Sequence, residues 1–120
     1  MKAITLVLGA SLNPNKYSNI ALKRLSERAI KILAIGLRKG KVNNIDIITE
    51  KIVFENIDTV TLYLNPKRQE EYYNYILKLN PRRVIFNPGT ENFEFSKMLK
   101  EKGIKAEVAC TLVLLSTNQY

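Results

Sequence analysis

Five short apolar runs constrain what this chain can fold into more than any other feature: Ala3–Leu8 (AITLVL), Lys31–Leu37 (KILAIGL), Asp58–Leu64 (DTVTLYL), Arg82–Phe86 (RRVIF) and Ile104–Cys110 (IKAEVAC). Each is about one strand long. The first is apolar or β-branched throughout, the composition of a strand buried on both faces. Helical stripes stand between them. Ala21, Leu22, Leu25 and Ala29 share a face within Asn19–Ala29, as do Tyr72, Tyr75, Ile76 and Leu79 within Lys67–Leu79, and Phe95, Met98 and Leu99 further on. Strands that alternate with helices pair in parallel and carry helices on both faces. The expected fold is therefore α/β, a Rossmann-like, doubly wound parallel five-stranded sheet in the order 3-2-1-4-5. With 120 residues, 46% of them hydrophobic, the chain is read as one domain over residues 1–120.

Local signals fill in the elements. Ser18 is expected to cap the first helix, Pro66 to open the second at a position where its missing N–H has no partner anyway, and Thr90 or Asn92 to cap the third. Within residues 42–57, Val42, Ile45, Ile47 and Ile48 are apolar enough for an extended segment after an Asn43-Asn44 turn, and Ile52, Val53 and Phe54 are expected to pack under a short helical or irregular stretch. Thr111–Leu115 closes the fold as a short apolar segment, and Tyr73, off the centre of its stripe, is a candidate partner contact. Tyr72–Tyr75 and the apolar C-terminal segment make a homodimer an expectation.

The first strand leads into GASLNPNKYSN, Gly9–Asn19. Gly9, without a Cβ, permits a tight exit and close approach of a ligand to the backbone, and Asn13, Pro14 and Asn15 continue as loop chemistry. A strand, a glycine loop and a helix start aim unpaired N–H groups and the positive end of a helix dipole at one spot, which favours an anion. Lys16 adds a full charge. Neither GxGxxG nor GxxxxGK[ST] is present, so the loop taken alone reads as turn geometry before it reads as a ligand site.

The second run ends in Arg38, Lys39, Gly40 and Lys41. In a doubly wound sheet this position meets the nucleotide ribose, and an acid there takes the free 2′-hydroxyl of NAD. Cations in its place suit a ribose bearing an extra phosphate, as in coenzyme A or NADP; a solvated basic turn is the other reading of the same residues. The fourth run ends in a second turn-rich loop, NPGTEN (Asn87–Asn92). In the expected strand order this loop and GASLNPNKYSN meet at the topological switch point, with the Arg38 cluster alongside.

Composition excludes a good deal. The chain has no His, which removes the commonest general base, the commonest zinc ligand and phosphohistidine chemistry. No pair of carboxylates stands where paired acid and base work would need it, so no catalytic or metal residue is assigned. The ends of the first and third strands also lack the carboxylates of a response-regulator receiver. A single Cys fits a reducing compartment, and no apolar stretch reaches the roughly 20 residues of a membrane span, so the cytoplasm is expected. A net charge of +8 attracts polyanions, phosphorylated ligands and nucleic acid alike.

Taken together these residues resemble the small coenzyme A-binding domain family, stand-alone relatives of the nucleotide-binding domain of succinyl-CoA ligase alpha subunits. The family's VxGxSxxPxRxS is matched by Val7, Gly9, Ser11, Pro14, Lys16 and Ser18, its xGxxNE in part by Asn87, Gly89 and Asn92, and its strand-end cysteine by Cys110. Lys16 replaces an arginine, Phe93 an acid and Asn87 a glutamine, departures that bear on ligand pose. The resemblance implies a crevice formed by the first loop and the Gly89 loop. The ligase reaction needs a phosphorylated histidine, and this chain has none.

The expectation is a cytoplasmic binding protein for coenzyme A or an acyl-CoA with no catalytic step. Gly9, Ala10, Ser11, Pro14, Lys16, Tyr17 and Ser18 would hold the pyrophosphate, Arg38 and Lys39 the ribose 3′-phosphate, and Asn87, Pro88, Gly89 and Thr90 the pantetheine, with Asn65 at the same sheet end. An NADP-binding oxidoreductase module is the alternative, and a basic nucleic-acid-binding protein the third reading. Cys110 is read as a buried strand-end thiol in preference to a partner for the coenzyme thiol.

Overall fold

The computed structural model describes residues 4–120. Ala3, the first residue of the expected first strand, lies outside them. The elements are β1 (Ile4–Ala10), α1 (Tyr17–Ser26), β2 (Lys31–Gly36), β3 (Gly40–Val42), β4 (Ile45–Ile48), β5 (Ile57–Leu62), α2 (Pro66–Gln69), a 3₁₀ turn (Glu70–Tyr72), α3 (Tyr73–Leu79), β6 (Arg83–Phe86), α4 (Phe93–Glu101), β7 (Lys105–Val108) and α5 (Thr111–Ser116).

The sheet has seven strands in the order β3-β4-β2-β1-β5-β6-β7, parallel throughout except for the β3–β4 hairpin. This corrects the expected five strands in the order 3-2-1-4-5. The difference originates at Asn43 and Asn44, which take φ of 48° and 67°. Two successive left-handed residues make the turn that matches strand twist, so the segment read only as extended closes a hairpin. Its second arm, β4, pairs with β2 and occupies the place expected for Asp58–Leu64. That run, as β5, pairs instead with the other side of β1, with Thr5, Leu6, Val7 and Leu8 opposite Thr59, Val60, Thr61 and Leu62. With β3 set aside, the order is that of doubly wound nucleotide-binding sheets.

Alternate residues of the central strands point to two cores. Leu6 and Leu8 pack with Ile76 and Leu79 of α3 and Phe95 and Leu99 of α4; Val7 and Ala10 pack on the other face with Leu22 and Leu25 of α1 and Leu115 of α5. Helices therefore cover both faces, as expected.

Several local expectations change. Lys16, not Ser18, is the N-cap of α1, with no side-chain hydrogen bond, and Ser18 is buried in the first turn. The helix ends at Ser26, before Ala29, whose φ is 55°. Asn92 caps α4 by accepting the Phe95 N–H at 3.0 Å, and Asn65 caps α2 by accepting that of Arg68 at 2.9 Å. The apolar C-terminal segment is a helix. Ile52 and Val53 are exposed and only Phe54 packs on the core, while Ile52 is pinned through its carbonyl, which accepts the Tyr75 hydroxyl. Tyr73 turns inward: its ring stacks on Phe95 at 4.4 Å, and its hydroxyl accepts from Asn92 at 2.8 Å and donates to Glu94 at 3.3 Å.

Candidate functional site

A cavity of about 620 Å³ opens at the carboxyl ends of β1, β2, β5 and β6. Its floor is set by two close backbone approaches. Gly9, at φ 95°, passes so near β5 that a Cβ would stand 2.9 Å from the Tyr63 carbonyl carbon, and a Cβ on Gly36 would stand 2.2 Å from the Ala10 carbonyl oxygen. Both contacts need glycine. The Tyr63 N–H donates to the Leu8 carbonyl at 2.8 Å, which locks the β5 end against the first loop.

The first loop is held by its own polar groups. Asn13 N–H donates to Ser11 Oγ at 3.1 Å, Asn15 N–H to Asn13 Oδ1 at 2.9 Å and Lys16 N–H to the Asn13 carbonyl at 3.0 Å. Asn19, buried in α1, reaches back to the Ser11 carbonyl at 2.9 Å. With no side chain capping α1, the amides of Tyr17 and Ser18 have no acceptor within the helix, and both residues line the cavity.

The charge of the lining is one-sided. Among the described residues Lys16, Arg38 and Arg68 line the cavity, and no Asp or Glu does. None of the three is ion-paired among the described residues. The neighbouring cations are otherwise engaged: Lys39 pairs with Glu50 at 3.8 Å, and Lys41 with Asp46 across the hairpin at 3.5 Å. Leu12, Tyr17 and Leu37 are large, largely exposed side chains of the lining.

Opposite stands the turn Asn87–Thr90, with Pro88 and Gly89 at its centre and Gly89 at φ 90°. Thr90 N–H and Oγ1 both donate to the Asn87 carbonyl, at 2.9 and 2.7 Å. Buried Gln69 joins this turn to β5: its Nε2 donates to the carbonyls of Leu64 and Thr90, each at 2.8 Å, and its Oε1 accepts from Asn92 at 2.9 Å. Burial pushes the Tyr63 phenol up to about 12, so this lining side chain is neutral at physiological pH.

Of the residues expected at the site, Gly9, Ala10, Ser11, Lys16, Tyr17, Ser18, Arg38, Asn65, Pro88, Gly89 and Thr90 line the cavity. Pro14, Lys39 and Asn87 do not. Asn87 is buried and its side chain is consumed by Thr61, Leu62 and Thr111. Cys110, half-buried just before α5, is outside the lining too. Sequence reading passed over Tyr63, Leu64, Arg68 and Tyr72. They come to the cavity because β5 borders β1, so the first loop meets the β5–α2 connection directly and the Gly89 turn from one strand further away. Among the described residues no His, Cys, Asp or Glu cluster could hold a metal ion, and no helix is long and apolar enough to cross a membrane.

The family model described as CoA binding domain matches residues 4–116. The chain belongs to this family. A crystal structure of an uncharacterized protein is 47% identical, covers 100% of this chain and 99% of its own, and superposes with a TM-score of 0.96. A hypothetical protein from Pyrococcus horikoshii is 28% identical over 97% of this chain and 82% of its own, with a TM-score of 0.82. A Thermus thermophilus protein at 20% identity covers 99% of this chain and 91% of its own, also with a TM-score of 0.82, and shows the shared fold. No curated protein matches the chain. CoA-binding family membership thus agrees with a cavity at the end of the sheet where doubly wound folds take their ligands.

Proposed function

We propose that this protein binds coenzyme A or an acyl-CoA in the cavity at the carboxyl ends of β1, β2, β5 and β6. The observation that carries the reading is the lining itself: three cations, no carboxylate, and an uncapped helix start beside a glycine loop. Such a surface attracts an extended polyanion and repels nothing about it. The pyrophosphate lies over Gly9, Ser11 and the amides of Tyr17 and Ser18, with Lys16 as counter-charge. Arg38, free of any carboxylate, takes the ribose 3′-phosphate, and Leu12, Tyr17 and Leu37 cover the base. Pantetheine then crosses β1 toward Asn65, Pro88, Gly89 and Thr90.

The family match supports coenzyme A over NADP, which would use the same cations. Calorimetric titration with coenzyme A and with NADPH tests the choice. Saturable binding of coenzyme A alone is the expected result; binding of NADPH alone overturns it.

A further inference from the structure

Arg68 lines the same cavity from the far side of β1. Arg38 follows β2, Lys16 follows β1 and Arg68, in α2, follows β5, so the three cations stand after three neighbouring strands along the sheet end. Two of them match the two phosphate sites of the ligand proposed above. The third has no match in coenzyme A, whose pantetheine arm is neutral.

Arg68 is half-buried in the first turn of α2, held there by its backbone N–H to Asn65 Oδ1. Its guanidinium has no hydrogen-bond or ion-pair partner among the described residues. Glu71, close by in sequence, is taken by Lys51 at 3.9 Å, and the same Lys51 lies 4.7 Å over the ring of Tyr72. The charge of Arg68 reaches the Tyr72 phenol, whose pKa burial and Glu71 raise and Arg68 lowers. A planar fork of donors left unpaired in a concave site is suited to a carboxylate, which it can hold by two parallel hydrogen bonds.

Resting on the coenzyme A reading, we propose that the β5 end of the cavity recognises a carboxylate at the end of a short acyl group, so that the preferred ligand is the coenzyme A thioester of a dicarboxylic acid. Arg68 receives the free carboxylate, beside Tyr72 and the Gly89 turn. The thioester is bound intact.

Titration of the protein with coenzyme A, butyryl-CoA and succinyl-CoA separates the possibilities, because the two thioesters have the same chain length and differ in the terminal charge. Succinyl-CoA is expected to bind roughly tenfold or more tighter than butyryl-CoA, the size of one charge-assisted pair. Arg68→Gln brings that ratio close to one, and Arg68→Lys retains part of it. Equal affinities in the wild type, or an undiminished ratio in Arg68→Gln, overturn the proposal while coenzyme A binding stands. A folded protein that binds none of the three overturns the coenzyme A reading itself.

Discussion

Asn87 Oδ1 accepts the backbone N–H of Thr111 at 2.9 Å, tying the end of β6 to the start of α5. Its Nδ2 donates to Thr61 Oγ1 at 2.7 Å and to the Leu62 carbonyl at 2.8 Å, so one buried side chain joins β5, β6 and α5. Replacing Asn87 by Ala leaves the Thr111 N–H and the Leu62 carbonyl without these partners in a place water does not reach. The expected cost is about 2–3 kcal/mol, read as a lower urea midpoint. A midpoint equal to wild type contradicts this.

Gly9 is expected to tolerate no side chain. Its φ of 95° disfavours any L residue, and a Cβ would meet the Tyr63 backbone at 2.9 Å. Gly9→Ala should cost roughly 1–3 kcal/mol and displace the first loop from β5, weakening coenzyme A binding in the same variant. Thermal melting and titration check the two effects together; an unchanged melting temperature argues against the close approach.

Stability should fall in alkali. Tyr63 and Tyr75 are raised from 10.0 to about 12, chiefly by burial. The native state holds these protons more tightly than the unfolded chain does. The contribution is therefore complete below pH 10 and is lost as pH rises from there through about 12. Urea midpoints measured across that range should decline, and Tyr63→Phe should decline less steeply.

How much of this was legible in the sequence depends on range. The α/β class, helices on both faces and the turn chemistry of Gly9, Asn65-Pro66 and Asn87–Thr90 follow from local residue properties. Strand order does not: whether Asp58–Leu64 joins β2 or β1 turns on the Asn43-Asn44 hairpin, a three-residue and a four-residue strand too short to carry a period. That one misplacement hid Arg68 and Tyr72 from the site, since both lie beside the strand that was moved. Asn87 illustrates the opposite error. A polar residue at a strand's carboxyl end reads as a ligand contact, and only the contacts made by Thr61 and Thr111 from distant parts of the chain show it to be structural.

Arg38 and the first loop are proposed to hold a nucleotide with a phosphorylated ribose. The most direct test is calorimetric titration of the folded protein with coenzyme A and with dephospho-coenzyme A, which lacks only the 3′-phosphate. Coenzyme A is expected to bind about tenfold or more tighter, with the advantage shrinking in Arg38→Gln and at high salt. Equal affinity for the two ligands would contradict the role of Arg38, and no binding of either would contradict the account as a whole.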